Sequence, residues 1–144
     1  MTEEFKTKIK TILDLLGLKE PSVDFNAEAR KVIVFVNEGE WIKEHLPYLV
    51  ADFERLANLL AKKHGIVENL FVDINNYRKE RENLIVELAK AAARKVLITK
   101  AEVKLPAMNS YERRLIHMEL ATRPDVKSES SGEGKERFVV VRPI

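Results

Sequence analysis

The sequence predicts an α+β chain made of two small subdomains, and three observations predict it. Apolar residues recur at helical spacing in some segments and run almost unbroken in others, so helices and strands are both expected. These segments do not alternate regularly, which argues against a parallel βαβ sheet. The charge changes sign along the chain: residues 1–75 hold 10 Lys/Arg against 13 Asp/Glu, whereas residues 76–144 hold 15 against 10. The boundary is therefore placed near residue 75, giving subdomains 1–75 and 76–144 joined by too short a linker to tumble independently.

The elements follow in order. Phe5, Ile9, Ile12, Leu13 and Leu16 mark a helix over residues 3–16, which Gly17 ends and Pro21 confirms as broken. Residues 23–26 and 31–36 read as strands, the second nearly continuous from Val32 to Val36 and so covered on at least one face. A short helix is expected from Trp41 to Leu46, with Pro47 interrupting or restarting it and Trp41 covering a core edge. Residues 50–63 form the next helix, with Phe53, Leu56, Leu59 and Leu60 inward, and Ile66 to Ile74 returns as a strand.

After the Asn75-Asn76 turn, residues 77–98 give the longest helix, with Leu84, Ile85, Leu88, Ala91, Ala92 and Val96 on its apolar face. A short strand ends at Leu105 before Pro106. Asn109 caps the next helix, and Glu112 is placed to reach back as in a capping box. That helix runs to about Ala121. Residues 126–130 and 137–141 pair as a hairpin about Ser131-Gly132-Glu133-Gly134. The order is α β β α α β, then α β α β β.

Composition excludes several classes of function. At 144 residues, 45% apolar and 33% charged, the chain is globular rather than disordered. It contains no cysteine, so it has no disulfide framework, thiolate metal site or cysteine nucleophile. No apolar run reaches the ~18–20 residues of a membrane span. The acidic start, Met1-Thr2-Glu3-Glu4, is unlike a signal peptide, so a cytoplasmic location is expected. His45, His64 and His117 lack metal-ligand spacing, and no metal or cofactor is implied. Gly132-Glu133-Gly134-Lys135 is not a phosphate loop, because position 129 is Glu rather than Gly. No set of residues supports an assignable reaction, and the chain is not expected to be an enzyme.

The basic second half points to a polyanion. Arg113 and His117 lie four apart on one helix, so both project from one face. Arg113 can hold a phosphate by paired hydrogen bonds, and His117 can stack on a base or donate to a phosphate. A solvated polar face is the bland alternative for this pair. Tyr77-Arg78-Lys79-Glu80-Arg81 starts the long helix with cations, which its dipole disfavours. An external phosphate would offset that cost and accept from the free amides; Glu80 and Glu82 are the internal alternative.

Three ordered motifs carry a family resemblance. Asp73-Ile74-Asn75-Asn76-Tyr77-Arg78-Lys79-Glu80-Arg81 resembles the segment that opens the R-3-H (Arg-x-x-x-His) domain of bacterial Jag (SpoIIIJ-associated) proteins. Leu105 to His117 resembles that family's signature, and Ser130 to Gly134 with Arg137 to Val141 resembles its closing hairpin. The resemblance makes Arg113 and His117 the named pair and implies binding of single-stranded RNA or DNA. It also implies a small antiparallel three-stranded sheet with two helices, preceded by a type II KH-like subdomain.

A KH domain grips a backbone with a Gly-x-x-Gly loop between two helices. Here the loop position is expected at Pro47-Tyr48-Leu49-Val50, which has no glycine. The first half thus reads as a KH-like fold without its grip. The leading expectation is an RNA-binding protein and post-transcriptional regulator. Arg113, Arg114, Arg81 and Arg137 would contact phosphates, with Arg78 near them and His117 or Tyr77 near a base. The alternative is a protein-interaction module using the degenerate KH-like half.

Overall fold

A computed structural model describes residues 2–66 and 69–144, and the chain divides into two compact units, Met1–Lys79 and Glu80–Ile144. The architecture is α+β. The part of the expected strand at residues 67 and 68 lies outside the described residues.

In unit 1, α1 (Thr2–Leu15) buries Phe5, Ile9 and Leu13, which recur every four residues. Leu16, read as the last apolar residue of this helix, is exposed beyond its end, where Gly17 takes a φ of +79°. β1 (Ser22–Asn26) pairs antiparallel with β2 (Lys31–Phe35), and β2 pairs parallel with β3 (Phe71–Ile74). The strand order is β1-β2-β3. Alternation sends Val23, Val32, Val34, Val72 and Ile74 to the same core as α1.

The expected break at Pro47 does not occur. A single helix, α2 (Trp41–Lys63), runs through the proline and through the position assigned to the Gly-x-x-Gly loop. Pro47 forgoes one helical hydrogen bond, a cost of about 3 kcal/mol. Ile42 and Leu46 before it are buried on the same face as Val50, Phe53, Ala57 and Ala61. Burial of such aliphatic side chains contributes about 1.5–3 kcal/mol each, enough to carry the helix across. The inward face also differs from expectation. Leu56 is 41% and Leu59 67% exposed, while Ala57 and Ala61 are fully buried. Trp41 is exposed too, donating from Nε1 to Glu38 Oε2 at 3.2 Å.

β3 lies at the sheet edge, yet its outward amides are occupied. Phe71 N and Asn75 N donate inward to Arg30 O and Val34 O. Alternating with them, Leu70 N donates to Asn58 Oδ1 at 2.7 Å, Val72 N to Glu54 Oε2 at 3.1 Å and Ile74 N to Asp73 Oδ1 at 2.8 Å. Two of these acceptors come from α2, so the helix closes the edge. Asn75 and Asn76 both take positive φ, which asparagine tolerates, and turn the chain.

In unit 2, α3 (Tyr77–Thr99), whose first three residues belong to unit 1, buries Ile85, Ala89, Ala92, Ala93 and Val96. Leu84 and Ala91, expected inward, are exposed, because the buried face keeps strict 3–4 spacing from Ile85. β4 (Val103–Lys104), α4 (Ser110–Leu120), β5 (Val126–Ser131) and β6 (Phe138–Pro143) complete it. The sheet is antiparallel in the order β4-β6-β5. Ile116, Leu120, Val126, Val139 and Val141 join α3 in a second core. The hairpin is longer than expected: β5 includes Ser131, and a short helical turn spans Gly134–Glu136. Gly132 has a φ of +85°, and a Cβ there would lie 3.3 Å from Glu136 O, so the tight loop requires glycine.

Candidate nucleic-acid interface

The start of α4 is built by its lead-in segment. Leu105 N donates to Val139 O at 2.9 Å and Met108 N to Arg137 O at 3.0 Å, fixing the segment along β6. Asn109 is extended, and its Oδ1 accepts from Glu112 N at 2.8 Å. This is the expected cap. The reciprocal half of the capping box is replaced: the Glu112 carboxylate accepts from Arg81 Nε at 2.8 Å and Nη2 at 3.4 Å. A guanidinium from α3 satisfies Glu112 with two donors where a backbone amide would offer one.

Arg113 and His117 follow on the face of α4 that meets β5. Arg113 Nη1 donates to Met108 O at 2.7 Å, leaving most of its five donors for other partners. His117 Nδ1 lies 2.7 Å from Ser128 Oγ, and Nε2 lies 2.9 Å from Ser130 Oγ. The two serines alternate along β5 on the side of buried Val126, which aims both at the helix. Burial lowers the His117 pKa below its usual value, and the nearby Arg113 charge lowers it further. The imidazole is therefore mainly neutral at pH 7. One nitrogen donates and the other accepts, and a serine hydroxyl can take either part.

The Arg137 backbone is connected to Arg113 by one hydrogen-bonded path. Its carbonyl accepts from Met108, whose own carbonyl holds the Arg113 guanidinium. Arg114 and Arg137 are exposed, and among the described residues neither they nor Arg113 pair with a carboxylate. Unit 2 thus sets Arg113 and His117 one turn apart on α4 and links the Arg137 backbone to Arg113 through Met108, with Arg81 tied to Glu112 at the same helix start.

Tyr77 and Arg78 belong to unit 1 and are engaged there. Tyr77 packs against its core. Arg78 pairs with Glu54 and stands over the Phe71 ring, 5.2 Å from its centroid. The α3 start, offered by sequence to a phosphate, is filled from within. Asp73, 2% exposed, accepts from Arg78 N at 2.9 Å and Lys79 N at 3.2 Å. A carboxylate at this position answers both the free amides and the helix dipole. Three residues that matter here were missed by sequence reasoning: Asp73, Ser128 and Ser130. The signal for the serines was their period-two spacing from Val126 on a strand.

The charge contrast also narrows at the observed division. Residues 1–79 hold 12 Lys/Arg and 13 Asp/Glu, net −1, and residues 80–144 hold 13 and 10, net +3.

Two helices on a three-stranded antiparallel sheet, with Arg113 and His117 on the helix that follows β4, define a known domain class. The R-3-H domain family model matches residues 83–143, and unit 2 is an R-3-H domain. The chain is 39% identical over 87 residues to the RNA-binding protein KhpB of Lactiplantibacillus plantarum, covering 60% of this chain and 27% of that protein. It is 36% identical over 91 residues to KhpB of Bacillus subtilis, covering 61% and 44%. Against KhpB of Streptococcus pneumoniae it is 26% identical over 140 residues, covering 96% and 43%. These likenesses agree with the resemblance of the chain to Jag proteins. The chain spans less than half the length of these curated relatives. None of the helices among the described residues is long and apolar enough to cross a membrane.

Proposed function

We propose that this protein binds single-stranded RNA through its R-3-H domain and acts in the cytoplasm as a post-transcriptional regulator rather than as an enzyme. The observation that carries the proposal is the cation set of unit 2: Arg113, Arg114 and Arg137 keep their charges free of carboxylates among the described residues. Arg113 is braced by a carbonyl, which orients the guanidinium without neutralising it. Such a group suits bidentate contact with a phosphate. The relatives' description as RNA-binding proteins supports RNA over DNA as the principal ligand. Arg81 serves by fixing Glu112 at the start of α4 rather than by meeting a phosphate itself.

Unit 1 is proposed to be a KH-like domain without a nucleic-acid grip. Its helix–strand order and mixed sheet suit a type II KH arrangement. The unbroken α2 leaves no glycine loop against which a backbone could settle.

Titration of a fluorescent unstructured RNA with the whole chain tests the function. Arg113→Ala/His117→Ala is expected to weaken binding about tenfold or more, with circular dichroism confirming the fold. Affinity should fall with added salt, and Arg113→Ala should reduce the salt slope by about one. Equal affinities for wild type and the double variant would refute the site.

A further inference from the structure

His117 has no ring nitrogen left over. Nδ1 is 2.7 Å from one serine hydroxyl and Nε2 is 2.9 Å from another, both on the facing strand. To donate to a phosphate, the ring would first have to give up one of these bonds. In the partly dry gap between α4 and β5, that exchange brings little net gain, because one hydrogen bond replaces another. The charge that would favour the exchange is also disfavoured. Arg113 stands one turn away on the same helix, and β5 faces the ring with two neutral hydroxyls and no carboxylate. What remains for a ligand is the partly exposed surface of the ring itself. An aromatic surface stacks on a base whatever the base's identity.

We propose that Ser128 and Ser130 are positioning residues that lock the His117 imidazole by both nitrogens, so that the site meets an unpaired base with the ring's face while Arg113 takes the adjacent phosphate. This division of labour rests on the RNA-binding role of the same site. It assigns a function to two serines that otherwise look like ordinary surface residues of β5. It also makes His117 an aromatic platform rather than a proton donor.

The locked ring can be read without any ligand. Proton–nitrogen NMR of the whole chain reports the ring N–H and the titration of His117. Wild type should show a ring N–H protected from exchange with water, on a ring that stays neutral below the usual histidine range. Ser128→Ala/Ser130→Ala should lose that protection, and Ser128→Thr/Ser130→Thr should restore it. A wild-type ring N–H that exchanges freely with water would overturn the lock.

The RNA titration then tests the face. His117→Phe keeps an aromatic surface and should bind within about threefold of wild type, whereas His117→Ala should lose about tenfold. Equal losses for Phe and Ala, or wild-type affinity that climbs about tenfold from pH 8 to 5.5 with a steeper salt slope, would make His117 a charged donor and sink the proposal. Arg113→Ala separates the two levels. If it leaves affinity unchanged, the binding site itself is misplaced; if it weakens binding while Phe fails to replace His, only the platform is wrong.

Discussion

Two helices of this protein begin among basic residues, and the chain treats the two starts in opposite ways. At α3, Asp73 is buried against the first amides, and Glu54 and Phe71 take up Arg78. At α4, the cap is the neutral amide of Asn109, Glu112 is answered by Arg81, and Arg113 and Arg114 keep their charge. The α3 start is filled by carboxylates of the chain itself, whereas at the α4 start, the one proposed for recognition, Arg113 and Arg114 pair with no carboxylate among the described residues. A run of cations at a helix N-terminus therefore does not announce a phosphate site. What decides is whether the protein supplies its own anion.

The largest test of this contrast is at Asp73. Asp73→Ala removes a buried acceptor from three amides and should cost about 3 kcal/mol, given about 1–3 kcal/mol for orphaned buried groups and about 1 for a lost cap. Urea denaturation would measure it, and RNA affinity of the folded variant should not change. If that variant bound RNA much more tightly, the α3 start would be a masked phosphate site, and the contrast would collapse.

A middle-sized effect is expected at Asn109. Asn109→Ala should cost about 1 kcal/mol by loss of the side-chain cap. Asn109→Asp should keep the cap but weaken RNA binding severalfold, since it places an anion at the start that must stay positive. Unchanged affinity in Asn109→Asp would mean that the potential at α4 is irrelevant to recognition.

The smallest effect comes from His117. Its folded pKa lies below the unfolded value of 6.5, so the unfolded chain binds the extra proton first. Its contribution to stability is complete above about pH 6.5 and declines as pH falls from there through the lowered folded value. The ring is partly solvated, so the decline should be slight. Comparing pH-dependent melting of wild type with His117→Phe isolates it. A difference that grows above pH 7 instead would reverse the sign.

Much of this was legible in the sequence, for definite reasons. Arg113, His117 and the Asn109 cap follow from helical spacing and a strong local motif. The elements of the R-3-H domain appeared in their proper order because their apolar periods are clear. Pro47 misled because its local penalty is visible in the sequence, while the burial of Ile42 and Leu46 that offsets it is a tertiary fact. Leu56 and Leu59 misled because they share helical spacing with Phe53 and Leu60, which fits more than one inward phase. Ala57 and Ala61 hold the inward phase instead, as small residues can where a helix packs closely. Asp73 and the serine pair were hidden because their roles depend on partners distant in sequence or across a turn.

The closed edge of β3 has a consequence for exchange with solvent. Edge strands ordinarily give up amide protons early, since one row of donors faces water. Here Leu70 and Val72 are held by Asn58 and Glu54 from α2, and Ile74 by Asp73. In deuterium the amides on both sides of this strand should stay protonated until α2 itself opens. A strand peripheral in its sheet would then be timed by a helix, and hydrogen exchange would report the two as one cooperative element.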